Sequence, residues 1–591
     1  MTDEDTACHS PESSGWRERI IRAPFYQTLI DQMEAGGRFE LVGLPGSLGP
    51  ALISLAVRDT SSGLLALFPE PEEAVAAALD FTSILGPDNV DLLDPWPFSP
   101  YEELSPSATL SLARLEALRH LSRLDQQGGI VVTSAPALIL WSADSRQLQE
   151  MDIHLEDGES HSFEGLVQRL QNMGYERVAM VEGPGEYTVR GGLVDISPPG
   201  CRQGLRIEFW GETIESLREF DFRDQRTTGG LSRVRVPGVR EVPFGEEILD
   251  LAILGAQTLP DEDAVAHTPL GNLIEGRGYS DGLEWYLPLL ARNPSTIADL
   301  LPGGVPVAIR EPERVDEVLR RTRQRAEEDH ARLEERGGWL SPGKILAPPD
   351  ILDTLRAEQP GMDMTVAATP GADTLRTTAT PVPVFTGDFG ILRRETQKLL
   401  QDGMDVTVLV ETEEQIRRLE DLLQDDSDHS EHSGSSVRLE IGQLEKGFIW
   451  PEAGLAVWPD HEIFSRPRRI RSSRTTAGPA VRSFRSLNYG DLVVHVDHGV
   501  GQYKGLRTMT VDGRQTELLE LGYEGGDRLL VPIDQMVRVQ RYVGADEDAA
   551  PSLNTIGGNA WERTVERTKT NLLEMAKDLA HLYATRETAP G

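Results

Sequence analysis

Only two cysteines occur in 591 residues, Cys8 and Cys201, far apart and without paired spacing. That excludes a disulfide framework and a cysteine-built zinc centre. No apolar run approaches the roughly 18 residues that span a bilayer, and the opening stretch MTDEDTACHS is acidic where a signal peptide is basic. A cytoplasmic location with no membrane partner is the expectation. Positive charge is also scarce: 58 Lys and Arg stand against 96 Asp and Glu, a formal net charge of −38. Such a chain repels a phosphate backbone unless its basic groups are gathered locally, which argues against non-specific nucleic-acid binding by the chain as a whole. Solvation in a salty cytoplasm is an equally good reason for the acidity.

At roughly 150 residues per domain the length suggests about four domains. Up to residue 145, short apolar runs (FELVGL, GLLALF, NVDLLD, GIVVT) alternate with helical stretches over 70–81 and 107–123, the pattern of a parallel sheet with crossover helices. From 146 to 233 a helix ending at Gly174 precedes YTVRGGLVDISP and LRIEFWGETIESLREF, which read as an antiparallel α+β domain with a Gly-Glu turn. Mixed α/β patterning returns over 234–345 and 346–465. The second of these contains QDDSDHSEHSGSS, an apolar-free loop whose His429 and His432 read as solvated rather than as metal ligands.

A basic linker over 466–486 carries Arg466, Arg468, Arg469, Arg471, Arg474, Arg482 and Arg485 with no acid among them. It reads as a soluble tether or as a phosphate contact. Residues 487–545 are dense in Val, Leu and Tyr and broken by Gly, as in a small β-barrel with TELLELGY and RLLVPI as central strands. His495, Asp497 and His498 there form a turn rather than a metal set, because 498 points away from 495 and 497 on a strand. Residues 546–591 end in a helix with Asn559 and Glu562 at its start.

The stretch ELVGLPGSLGPALISLA (40–56) has the strand, glycine turn and helix of a phosphate-binding loop, but it has no lysine. Aligned on Gly43, the second glycine of G-x-x-x-x-G-K-[ST] falls on Leu48, the lysine on Gly49 and the hydroxyl residue on Pro50. Gly43 and Gly46 keep the turn, and the groups that hold phosphate and Mg²⁺ are missing. In VPVAIREPER, Arg310 stands where a metal-holding acid is needed, with Glu311 after it. A cation there repels Mg²⁺. The expectation is a pocket without ATP hydrolysis, no cofactor, no metal and no catalytic residue.

DPWPFSPYEELSPS, then GEYTVRGGLVDISPP with LRIEFWGETIESLREFDFRDQRT, then GDLVVHVDHGVGQYKGL with LLVPIDQM resemble, in that order, bacterial transcription-repair coupling factors. The resemblance implies a multidomain α/β and α+β chain. Its parts are a degenerate P-loop-type UvrB-like module (1–145, 146–233 and 234–345), a second α/β domain (346–465), and a small CarD/Tudor-like β-barrel (487–545) followed by a long helix. It implies a transcription-coupled repair adaptor that binds stalled RNA polymerase and recruits UvrA. The family's ATP- and Mg-dependent DNA translocase is expected beyond residue 591, since no G-K-[ST] follows Gly558, and DNA contact is expected mainly through that motor. Residue by residue, the resemblance points to Arg177 and Arg190 for UvrA, with Ser197 where the family often has an aromatic anchor. For strand-edge pairing with the polymerase β subunit it points to Glu517, Leu518, Leu519 and Leu521, Leu519 being expected at the interface and Leu521 in the core. The alternatives are a CarD-like transcription regulator and an active UvrB-like ATPase or helicase.

Overall fold

The computed structural model describes residues 15–98, 100–101, 105–106, 108–201, 203–222, 224–242, 245–257, 265, 268–276, 280–333, 339–383, 385, 389–424, 437–464, 492–495, 498–511, 514–524, 527–532, 539–541 and 553–554. Cys8, the pair His429 and His432, the basic linker, Asp497 and the expected terminal helix lie outside these residues. The chain divides into two compact units, one running through the first four segments and one holding the small β-domain.

The first unit is organised by a seven-stranded parallel sheet. Its strands run in the order Thr374–Arg376, Arg38–Val42, Gly361–Thr365, Val307–Arg310, Gly63–Phe68, Gly129–Ser134 and Val90–Leu93. Strands covered on both faces need apolar residues at every position, and GLLALF is buried throughout. Helices Leu48–Thr60, Pro71–Leu85 and Ala108–Leu121 supply the crossovers. The sequence divides the third and fourth segments at 345, yet the sheet crosses that point. Gly361–Thr365 pairs with both Arg38–Val42 and Val307–Arg310, and Thr374–Arg376 extends the edge. Asp363 fixes this insertion: it is 4% exposed and is bonded by Arg38 at 2.6 Å and Arg356 at 2.7 Å.

The fourth segment then builds its own five-stranded sheet, in the order Thr380–Pro381, Phe448–Trp450, Leu455–Pro459, Asp405–Val410 and Val437–Ile441. Its core gathers Phe385, Val408 and Trp458.

Between residues 152 and 237 an α+β domain is inserted. Asp152–Glu156 and Arg233–Pro237 pair antiparallel as its two entry strands. Inside it, a six-stranded sheet runs Thr227–Leu231, Thr213–Phe220, Gly204–Trp210, Leu193–Ile196, Glu186–Arg190 and Glu176–Arg177. One hairpin turns at Gly211-Glu212, as the sequence indicates, and YTVRGGLVDISP, read as a single strand, is itself a hairpin that turns at Gly191-Gly192. The helix Phe163–Asn172 starts at Ser162, whose hydroxyl accepts from the Gly165 amide at 3.1 Å, and the chain turns at Gly174 with φ +90°. Asp152 is gripped by Arg119 at 2.9 Å and Arg235 at 3.1 Å, and both arginines also reach Glu116. This network clamps the entry strands to helix Ala108–Leu121.

A second clamp is buried. Arg114 and Glu241, 3% and 1% exposed at their side chains, meet at 2.5 Å, and Arg114 also donates to the Asp94 carbonyl and lies over Trp96. Beside it Glu284 accepts from Ser105 Oγ at 2.6 Å, and burial pushes its carboxyl up to about 7. A carboxyl raised in the folded state binds its proton where the unfolded chain has released it, so the fold loses stability as pH rises from about 4.5 to about 7. The melting temperature of Glu284→Gln relative to the unmutated chain is therefore expected to increase between pH 5 and pH 8. A difference that stays constant with pH overturns this assignment.

The second unit is a five-stranded antiparallel sheet in the order Arg528–Pro532, Arg514–Gly522, Gly499–Val511, Leu492–His495 and Val539–Arg541. Val493, Tyr503, Leu519, Leu521, Tyr523, Val531 and Val539 form its core. RLLVPI, expected as a central strand, lies at the sheet's edge among the described residues, where Arg528–Pro532 pairs only with Arg514–Gly522.

Candidate functional site

The loop after Arg38–Val42 keeps the backbone of a phosphate-binding turn: Gly43 and Gly46 have φ of +81° and +56°, which glycine adopts without steric cost. Leu48, Gly49 and Pro50 open the following helix and are buried. The seat that an anion would take at this helix start is filled by the chain itself. Ser47 donates to Asp80 at 2.5 Å and accepts from the Lys446 amide at 3.0 Å, while the Ser47 amide donates to the Lys446 carbonyl at 3.2 Å. The Glu445 amide donates to Asp80 at 2.6 Å. A Cβ added at Gly46 would lie 2.3 Å from the Gly447 carbonyl oxygen. The same loop is held from behind by Glu462, which accepts from the Gly447 amide at 2.7 Å. A segment some four hundred residues downstream thus plugs the turn.

Beside it, at the carboxyl ends of the strands, a cleft of about 250 Å³ is lined by Gly43, Pro45, Arg310, Glu311, Met364 and Ala379 among others. Glu311, the acid that follows Arg310, is bonded by Arg314 at 2.7 Å, and Arg314 also takes Glu73 at 2.7 Å. Arg310 lies 3.8 Å from Glu73 and 3.9 Å from Glu311. These residues do not fit a nucleotide with magnesium: the acids are consumed by arginines and no lysine enters from the loop. His495 and His498 stack at 4.8 Å, and among the described residues no group of three or more metal-binding side chains converges.

In the inserted domain Arg177 and Arg190 are both exposed. They do not share a row. Arg177 pairs beside Tyr187 at the sheet edge, whereas Arg190 lies across from Leu193 and donates to the Ala179 carbonyl at 3.0 Å. Ser197 is 2% exposed, and its backbone bonds Glu186 and Gly185. The expectation of a missing surface anchor is thereby corrected: this position is interior, so a serine here takes nothing from the surface.

In the β-domain the edge assignment is also corrected. Arg514–Gly522 has a neighbour on each side through its second half, Gly499–Val511 on one and Arg528–Pro532 on the other. Leu519 and Leu521 are both 0% exposed and belong to the core; Leu518, on the other face, is 5% exposed. Among the described residues, pairing with Arg528–Pro532 runs from Gly522 opposite Arg528 to Leu518 opposite Pro532. The first half, Arg514 to Glu517, pairs only with Thr508 to Val511 among the described residues.

Residues 153–241 match the UvrB interaction domain and residues 487–543 the CarD-like/TRCF RID domain. The chain is 30% identical over 503 residues to the transcription-repair-coupling factor of Staphylococcus aureus and 27% to that of Staphylococcus epidermidis, each alignment covering 80% of this chain and 43% of the relative. The chain is a homologue of the transcription-repair-coupling factors. It spans 43% of the length of these relatives. The family's first matched domain coincides with the insertion on the seven-stranded sheet, and the second with the five-stranded β-domain. No helix among the described residues is long and apolar enough to cross a membrane.

Proposed function

We propose that this chain is a two-ended adaptor for transcription-coupled DNA repair, with the inserted domain docking UvrA through the face that carries Arg190 and the β-domain holding RNA polymerase. The observation that carries this reading is the presence of the UvrB interaction domain and the CarD-like/TRCF RID domain on one chain. The finer assignment is strand addition by the polymerase β subunit along Arg514 to Glu517, which among the described residues pair on one side only. Joining two binding modules makes the second contact intramolecular and raises its effective concentration. The plugged loop serves as a joint between domains, without nucleotide or metal. ATP-driven movement along DNA is the work of the motor of the full-length family.

The test is retention of purified UvrA and of purified RNA polymerase on the immobilised chain, with ATP turnover measured in the presence of DNA. Retention of both, loss of UvrA alone in Arg190→Glu, and no turnover are expected. Failure to retain UvrA favours a CarD-like transcription regulator, and DNA-stimulated turnover restores an active UvrB-like ATPase.

A further inference from the structure

The six-stranded sheet buries one face. Tyr187, Val194, Ile207 and Phe209 point into its core, so by strand alternation Arg190, Leu193, Glu208 and Trp210 lie on the other face. Register aligns Arg190, Leu193, Glu208 and Ser216 in one row across four strands. Trp210 stands one step beyond Glu208, and the spacings of strands and residues put it about 12 Å from Arg190 at the Cα atoms.

Most of the polar groups on this face are already engaged. Arg206 bonds the buried Asp195 with two nitrogens, at 2.7 and 2.9 Å, and lies over Phe220. Glu208 takes Arg218 at 3.0 Å and Ser216 at 2.8 Å. Arg190 forms no ion pair among the described residues; its bond is to the Ala179 carbonyl. Trp210 is 80% exposed. A Cβ added at Gly191 or Gly211, on either side of it, would meet nothing within 4 Å. The fold thus leaves one unpaired guanidinium and one uncovered indole on a floor stiffened by ion pairs. Tryptophan and arginine are among the side chains that most often dominate protein interfaces, the one through its large contact area and the other through a preorganised forked donor.

We propose that Trp210 is the apolar anchor of the UvrA-docking face, seated in a recess of that partner while Arg190 takes one of its carboxylates. This rests on the reading given under Proposed function. The uncompensated charge of Arg190 beside the indole is what selects a protein surface carrying an acid next to an apolar recess.

The experiment compares the full chain with Trp210→Ala, Trp210→Phe and Arg190→Glu in UvrA binding, with thermal melting and sedimentation of each. Trp210→Ala and Arg190→Glu are each expected to weaken binding at least tenfold with unchanged melting and unchanged polymerase retention, and Trp210→Phe to keep most of it. Loss in Arg190→Glu with full binding in Trp210→Ala overturns the anchor and leaves the docking function standing. No binding by the unmutated chain overturns both. Dimerisation of the unmutated chain that Trp210→Ala abolishes makes the tip a self-contact and overturns the proposal.

Discussion

Arg114→Ala is expected to cost about 3–5 kcal/mol, the price of leaving one partner of a buried ion pair alone. Glu241 is 1% exposed at its side chain, and burial already raises its carboxyl while Arg114 opposes that shift. Without the guanidinium the acid must take up a proton or admit water. The same truncation removes the bond to the Asp94 carbonyl and the stacking on Trp96, so the DPWP stretch loosens along with the root of the inserted domain. Against a domain stability of roughly 5–15 kcal/mol the loss is large. Thermal or urea unfolding checks it. The double variant Arg114→Met with Glu241→Leu is expected to recover much of the loss, since packed apolar side chains can replace a buried pair. A double variant no better than Arg114→Ala would show that packing, not the stranded acid, sets the cost.

Leu519→Arg is expected to unfold the β-domain. Leu519 is 0% exposed among Val493, Tyr503, Leu521 and Val531. Deleting a buried leucine side chain costs about 2–5 kcal/mol, and placing an unpaired cation there adds to it. A domain of this size has little reserve against such a loss. Polymerase binding is therefore lost with the fold, measured as collapse of the β signal in circular dichroism, rather than by removal of a contact. Retention of native spectra with binding lost would instead put Leu519 on the docking surface.

The local elements were legible because their signals are local. The two-residue turn at Gly211-Glu212 and continuous apolar runs such as GLLALF announce a hairpin and parallel strands. The missing lysine was equally plain, since a motif position is either filled or empty. Long-range pairing was not. Nothing in GMDMT says that it slots between strands at 38–42 and 307–310, and nothing in LEKG says that its backbone fills the turn at Gly46. The face of Leu519 was legible as alternation, but whether that face meets the core or a partner depends on neighbours distant in the chain. Phe209 and Trp210 read as two adjacent aromatics, so the outward turn of Trp210 was hidden beside the inward turn of Phe209.

The plug at residues 445–447 and the strand at 361–365 bear on how this protein comes apart. A piece ending at residue 345 would lose a strand from the middle of its main sheet and leave Ser47 and Asp80 facing water. Proteolytic fragments that survive should therefore be cut within the inserted domain or after residue 464, and the first and fourth segments stand or fall as one body.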